Sequence, residues 1–391
     1  MGTLIEISDW KVESLSEFCG GDEFIIDGPF GSNLKNEHYV SSGVPVLTGG
    51  NISKNTWDFK NIRFISDQKA KELSRCNVVV GDLLSVKIGS VGFSSLVTDL
   101  GGFPLAIIPA NLLRLRVKNC NSDPIFLKHV LQFEGTRKEL LELATSTAQP
   151  ALNLRKFRSL KIRVPQLAEQ KVIGKTLSDI DELIESIDSE IYKKQNILKG
   201  FMQNLVSGSY FKKNNISFEI KQIKNLPIDI QRGQLITGTT TVDGKIPVIA
   251  GGISAAYYNN VANRFGATVT ISASGANAGF VNLWRSDIWA SDCSTIGESE
   301  EYEILYIFHL LKEKQNELFD AQYGGGQPHI RPKEIGEILI PWISKANQTD
   351  IVLILEGLSK ELELLEEEKT KYKYIKQGMA HNLLTGKVRL V

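Results

Sequence analysis

The chain repeats itself at a fixed distance, and this constrains its fold more than any other feature. Gln149-Pro150 recurs as Gln327-Pro328, Gln170 as Gln348, and Leu205-Val206-Ser207-Gly208 as Leu383-Leu384-Thr385-Gly386, each pair 178 residues apart. A constant spacing kept over about 60 residues is the mark of an internal duplication, so whatever the first half builds the second half should build again.

Between these anchors runs a seam of apolar residues. Steps of four and three lead through Ile173, Leu177, Ile180, Ile184, Ile187, Ile191, Lys194, Leu198, Phe201 and Leu205. The same steps 178 residues later give Ile351, Leu355, Leu358, Leu362, Leu365, Lys369, Tyr372, Lys376, Met379 and Leu383. A mean step of 3.5 residues held over five heptads predicts two long helices that each pack along a partner helix. Equal length and matching seams make them suited to each other as a coiled-coil pair. Each follows a strand-like run closed by Pro165 or Pro341 and ends at Gly208 or Gly386, where glycine suits the residue after a helix.

The stretches before each helix have another texture. Residues 10–165 and 217–341 hold short β-branched runs broken by Gly, Asn, Ser and Pro. Residues 44–53 and 246–254 echo each other as a strand, a Gly-Gly turn and another short strand, and residues 85–97 and 270–284 as a strand, a small-residue turn and a return strand. Single helices are expected at 124–143 and 301–319. The fold class is therefore α/β: mixed globule, long helix, mixed globule, long helix, with boundaries at 1–165, 166–208, 209–341 and 342–391.

Local signatures of catalysis are missing. Gly174-Lys175-Thr176 resembles the end of a phosphate loop, but Glu169 stands where that loop needs its first glycine, and the triplet lies inside the seam. There is no Pro-Pro pair of the kind a methyltransferase uses in holding a flipped base, and none of the five histidines has metal-binding spacing. Ser-Ala-Ser-Gly at 272–275 lacks the leading glycine of a nucleophile elbow, because Thr270 occupies that place. Cys19, Cys76, Cys120 and Cys293 lie far apart and read as reduced thiols. No metal and no cofactor of its own is expected for this chain.

Lys and Arg number 45, as do Asp and Glu, so the formal charge is zero and a nonspecific nucleic-acid coat is disfavoured. A DNA reader with this balance needs local basic clusters or a partner's help to hold phosphates. The glycine-rich turns fit plain hairpins; they equally fit a surface where the backbone approaches DNA and nearby side chains read base edges. On the second reading the candidates are Lys54, Arg63, Lys87, Ser90, Arg232, Arg264, Ser274, Asn277, Tyr323, Gln327 and Arg331. No apolar run approaches a membrane span, and the acidic first segment is unlike a secretory signal, so a cytoplasmic location without membrane contact is expected.

Taken in order, Gly-Pro-Phe-Gly-Ser (28–32), Val-Pro-Val-Leu-Thr-Gly-Gly-Asn-Ile (44–52), Gln-Pro-Ala-Leu-Asn (149–153), Val-Pro-Gln-Leu-Ala-Glu-Gln-Lys (164–171) and the closing Leu-Val-Ser-Gly resemble a Type I restriction-modification specificity subunit over nearly the whole chain. The resemblance implies two target-recognition domains, at 1–165 and 209–341, and two spacer helices, at 166–208 and 342–391. The helices would form an antiparallel coiled coil with pseudo-two-fold symmetry. Each domain would read half of a bipartite site in double-stranded DNA, and the helices would set the gap. Two modification subunits and restriction subunits would be the partners, bringing S-adenosylmethionine, ATP and magnesium. The second copy departs from the pattern in Trp342-Ile343-Ser344-Lys345-Ala346-Asn347-Gln348 and in His329-Ile330-Arg331. A free-standing DNA-binding regulator or antirestriction decoy on the same scaffold, and an enzyme with an unrecognised nuclease site, are the alternatives.

Overall fold

Strand Lys11–Ser14 pairs antiparallel with Lys161–Val164, and strand Glu219–Gln222 pairs in the same way with Leu339–Trp342. In each copy the strand that opens the globule is thereby stitched to the strand that leads into a long helix. We describe a computed structural model covering residues 10–29, 31, 33–51, 62–145, 150–239, 241–324 and 326–390. It divides into a first unit, Met1–Asp188 with Glu368–Val391, and a second, Ser189–Glu367. The long helices, Leu167–Val206 and Lys345–Leu384, are 40 residues each and contribute to both units.

The main antiparallel sheets repeat strand for strand. The first unit has a four-stranded antiparallel sheet in the order Ile25–Asp27, Leu112–Leu115, Leu83–Val86, Ser94–Leu96. The second has Gln231–Arg232, Cys293–Ile296, Thr268–Ser272, Val281–Trp284. The expected strand–turn–strand echoes are thus hairpins at equivalent places in one topology. A further sheet in each unit contains a parallel pair, Val44–Val46 with Ala106–Ile107 and Ile246–Ile249 with Trp289–Ala290.

Each unit closes its core by laying a helix on the antiparallel sheet. Asp123 caps Pro124–Gln132 with a side-chain bond to the Phe126 N–H, and the buried face of that helix (Phe126, Leu127, Val130, Leu131) shares a core with Leu83, Leu113 and Leu115. Ile304–Glu313 does the same in the second unit through Tyr306, Ile307, Leu310 and Leu311. The expected single helices are each broken in two. Pro124–Gln132 stops at extended Phe133, whose ring lies 6.3 Å from His381, and the chain resumes as Glu134–Leu143. Ile304–Glu313 stops at Lys314 and resumes as Gln315–Asp320, with the Gln315 amide bonded to the hairpin backbone at Val281 and Gly279. In both, a side chain at the break contacts a neighbouring element.

The long helices dock on these cores through their seams. Ile173, Leu177, Leu383 and Leu384 enter the first core, and Leu205, Ile351 and Leu355 the second. All twenty seam positions are buried or half-buried. The lysines that interrupt the seam are each matched by an acid on the other helix. In the first unit Lys369 meets Asp188 at 2.5 Å and Lys376 meets Asp181; in the second Lys194 meets Glu361 at 2.6 Å. In the first unit the higher number on one helix goes with the lower on the other, so the pairing there is antiparallel.

A buried glutamine bolts each helix to its globule. The Gln170 carbonyl accepts from the Asp123 N–H at 2.9 Å, while its amide donates to the carbonyls of Asn121 and Pro165. Gln348 accepts from the Glu303 N–H at 2.9 Å and donates to the Ile343 carbonyl at 3.0 Å. Buried amides require such partners, which gives the repeated glutamine a structural cause.

Candidate nucleic-acid interface

In each unit three turns converge at one end of the antiparallel sheet, and the backbone hydrogen bonds that gather them repeat. The hairpin turn comes first. Gly89 N–H donates to the Pro150 carbonyl at 3.2 Å, and Gly275 N–H to the Pro328 carbonyl at 3.0 Å. Beside these, Leu152 N–H bonds the Lys87 carbonyl and Ile330 N–H the Ala273 carbonyl. Gly89 and Gly275 have φ of +91° and +79° with open space where a Cβ would stand, so glycine serves the left-handed turn and leaves the tip bare.

The second turn is fixed by close packing. Gly28 N–H bonds the Leu112 carbonyl and Gly233 N–H the Cys293 carbonyl. A Cβ on either would lie 2.0 or 2.1 Å from a carbonyl oxygen of the neighbouring loop, Pro109 or Ser291. The third is the Gly-Gly turn. Gly49 packs towards Asn111, and Gly251 towards Ser274 and Asp292. Asn111 and Asp292 are equivalent, because the Asn111 carbonyl accepts from Lys87 N–H and the Asp292 carbonyl from Ala273 N–H.

The side chains on this shared frame differ. In the first unit Lys87 pairs with Asp27 at 2.9 Å, and exposed Ser90 sits on the hairpin tip. In the second, exposed Arg232 holds the place of Asp27. Ser274 donates to the Asp292 carboxylate. Tyr323 and His329 exchange backbone hydrogen bonds, and Arg331 lies 4.8 Å over the Tyr323 ring. Exposed Gln327 and half-buried Asn277 occupy the turns beside them.

Most of the candidates therefore gather at this end: Lys87 and Ser90 in one unit, Arg232, Ser274, Asn277, Tyr323, Gln327 and Arg331 in the other. Two do not present a free head group. Arg264 spends its guanidinium on Thr295 Oγ1 and on the carbonyls of Asn263 and Arg232, and Arg63 lies in the outer sheet, 4.1 Å over the Tyr39 ring. Lys54 lies outside the described residues. Asn111, Asp292 and Asp27 escaped the sequence reading; the adjacent Gly28 and the Gly-Gly turns were the available signals.

Chemically, these ends offer glycine turns open to a close approach and a mixture of donors and acceptors. Among the described residues no group of three His, Cys, Asp or Glu could hold a metal ion, and no helix is long and apolar enough to cross a membrane. Such a surface suits hydrogen bonding to a polar ligand.

The family profile described as the Type I restriction modification DNA specificity domain matches residues 7–195 and 212–374. The chain is similar to a putative type I restriction enzyme MjaX specificity subunit from Methanocaldococcus jannaschii, with 25% identity covering 98% of this chain and 94% of that one. It is also 25% identical to the MjaVIII specificity subunit of that organism, over 73% of this chain and 75% of the other. The fold is similar to that of the S subunit of a Type I system from M. genitalium, with a TM-score of 0.63, 16% identity, and 98% of both chains covered.

Proposed function

We propose, from the premise that this chain belongs to the Type I restriction-modification DNA specificity family, that each unit reads one half of a bipartite site in double-stranded DNA. The observation that carries this reading is the three-turn frame, whose gathering backbone hydrogen bonds recur in both units while its side chains change. Phosphate contacts position a protein on DNA and base-edge contacts specify the sequence. A constant backbone frame with variable side chains is what two readers of different sequences need.

The long helices then set the gap between half-sites and receive the partners, two modification subunits, with restriction subunits joining the assembly. A groove of about 1500 Å³ in the first unit, lined by the Phe133 break and by faces of both long helices, supports a docking role. There a Glu185 carboxylate oxygen is buried with no hydrogen-bond partner among the described residues. S-adenosylmethionine, ATP and magnesium belong to the partner subunits on this reading, and the chain acts in the cytoplasm without catalysing a step itself.

The test is to co-express the chain with its modification subunits and map methylated adenines across the host DNA. Methylation at one two-part motif with a fixed gap, lost when the chain is omitted, is the expected result. Methylation that persists without the chain, or that follows a single undivided motif, would overturn the reading.

A further inference from the structure

We infer that the equivalent residues Asn111 and Asp292 are specificity-determining, with Asn111 selecting an adenine in the half-site of the first unit and Asp292 a cytosine in that of the second. The inference rests on the reading that the three-turn end faces DNA, and adds which side chains choose the base and what they choose.

Three observations place these two residues together. Each lies just before a strand of the antiparallel sheet, Leu112–Leu115 or Cys293–Ile296. Its carbonyl accepts from the residue two before the hairpin glycine, at 2.8 Å from Lys87 and 3.1 Å from Ala273. Its side chain abuts the first glycine of the Gly-Gly turn, where an ideal Cβ on Gly49 would lie 3.8 Å from Asn111 Nδ2 and one on Gly251 3.6 Å from Asp292 Oδ2. Glycine leaves these polar ends uncovered, and both residues are half-buried, so they sit within the cluster of turns with a path to the surface.

Their bonding leaves capacity for a ligand. No described residue bonds the Asn111 amide group. Asp292 accepts from the Ser274 hydroxyl and pairs with no lysine or arginine among the described residues. A carboxylate without a cation partner is repelled by phosphates, so Asp292 belongs to no phosphate clamp; the amide at the equivalent place can bond a phosphate or a base edge, and its equivalence to Asp292 favours the base edge. Base edges suit both. An amide bonds the N6 and N7 of adenine in a bidentate pair, while a carboxylate, which only accepts, takes the N4 amino group of cytosine. Ser274 orients the carboxylate by donating a hydrogen bond to it from its hydroxyl. Its equivalent in the first unit is Ile88, which leaves the amide there free to bond on both sides.

The experiment uses the full chain assembled with its modification subunits and selects binders from DNA with both half-sites randomised. Asp292→Asn keeps the volume and the Ser274 contact. It should shift one position of the second half-site from cytosine towards adenine, changing that preference roughly ten- to hundred-fold and leaving the first half-site as it was. Asn111→Asp should do the reverse in the first half-site. Ser274→Ala, which leaves the carboxylate in place but frees it, should loosen the same position as Asp292→Asn by a few-fold. A clear two-part selection by the wild type that is unchanged in both exchange variants would overturn the inference while leaving the two-reader function standing. So would a rise in affinity uniform over all sequences, which would make Asp292 only a repulsive neighbour of the DNA backbone. If the wild type selected no two-part sequence, the underlying function would fall and this inference with it.

Discussion

Gln170 and Gln348 stand at equivalent places and share two equivalent bonds, Gln170 adding a third to the Asn121 carbonyl, whereas Asn111 and Asp292 stand at equivalent places and differ in charge. The difference follows from what each position faces. The glutamines are buried against backbone groups that are identical in every sequence, so one side chain suits both copies. Asn111 and Asp292 are half-buried among the turns, and their side chains meet no backbone group that would fix their chemistry. One further junction is not shared at all. In the first unit fully buried Glu169 accepts from Trp10 Nε1 at 3.2 Å and from Arg389 at 2.5 and 2.8 Å, while the second copy has Asn347 there.

The largest effect should come from that unshared junction. Arg389→Ala leaves a buried carboxylate without its cation, which typically costs about 3–5 kcal/mol; because Arg389 is partly exposed, we expect about 3 kcal/mol. The loss should be confined to the first unit and visible as faster amide exchange there. Asn347→Ala should change the second unit by less than about 0.5 kcal/mol. Comparable losses from both would mean that the two junctions are not different after all.

Next come the glutamines. Gln170→Ala and Gln348→Ala each strip partners from buried backbone groups, at about 2–3 kcal/mol each. Denaturant unfolding of each variant should give losses within about 1 kcal/mol of each other, Gln170→Ala being the larger because it also gives up the Asn121 carbonyl. A large inequality would break the equivalence.

Acid should then separate the units. Burial, reinforced by Lys128, pushes the His129 imidazole down to about 3, and its ring bonds Ser178 at 2.9 Å. The folded form therefore binds its proton less readily than the unfolded form, whose histidine titrates near 6.5. The contribution is complete above pH 6.5 and lost as pH falls towards 3, at up to about 1.4 kcal/mol per pH unit. Between pH 7 and 5 this makes about 2 kcal/mol, which His129→Gln should remove from the acid sensitivity of the first unit. His309 in the second unit is also lowered by burial, but Glu356 opposes the shift, so the corresponding variant should matter less. Equal pH profiles for wild type and His129→Gln would contradict this.

The smallest contrast lies in the seam. Lys194 and Glu361 are both partly exposed, so Lys194→Met should cost under about 1 kcal/mol. Lys376 faces Asp181, which is 6% exposed and has Lys128 as a second partner at 3.5 Å. Lys376→Met should cost about 1–2 kcal/mol more than Lys194→Met, because it weakens the compensation of a buried charge. Chemical denaturation of the two variants side by side decides it.

How far the sequence was legible depends on distance from the long helices. The seam, its interrupting lysines and the glycine ends at Gly208 and Gly386 could all be read, because a helix imposes one period over its whole length. Gln170 and Gln348 were visible as a repeat, although their bonding partners were not. Upstream the register drifts. Gly28 precedes Gln170 by 142 positions, whereas Gly233 precedes Gln348 by 115, so the first copy carries longer loops and a fixed offset no longer aligns the reading ends. Asn111 and Asp292 are 181 residues apart rather than 178, and only the shared backbone bonds reveal them as one position. The helix breaks at Phe133 and Lys314 were hidden for another reason. Gly135, two residues past Phe133, was the one local signal at the first break, and no glycine or proline adjoins the second; tertiary contacts of Phe133 and of Gln315 accompany them.

The central claim is that the two units read DNA independently, and exchanging one of them tests it most directly. Residues 10–165 would be replaced by the equivalent unit of a family member with a different target, and the methylated sites of the assembled complex sequenced. The account predicts that one half of the bipartite site changes to the donor's while the other half stays as it was. A chimaera that folds and methylates but changes both halves together, or neither, would contradict it.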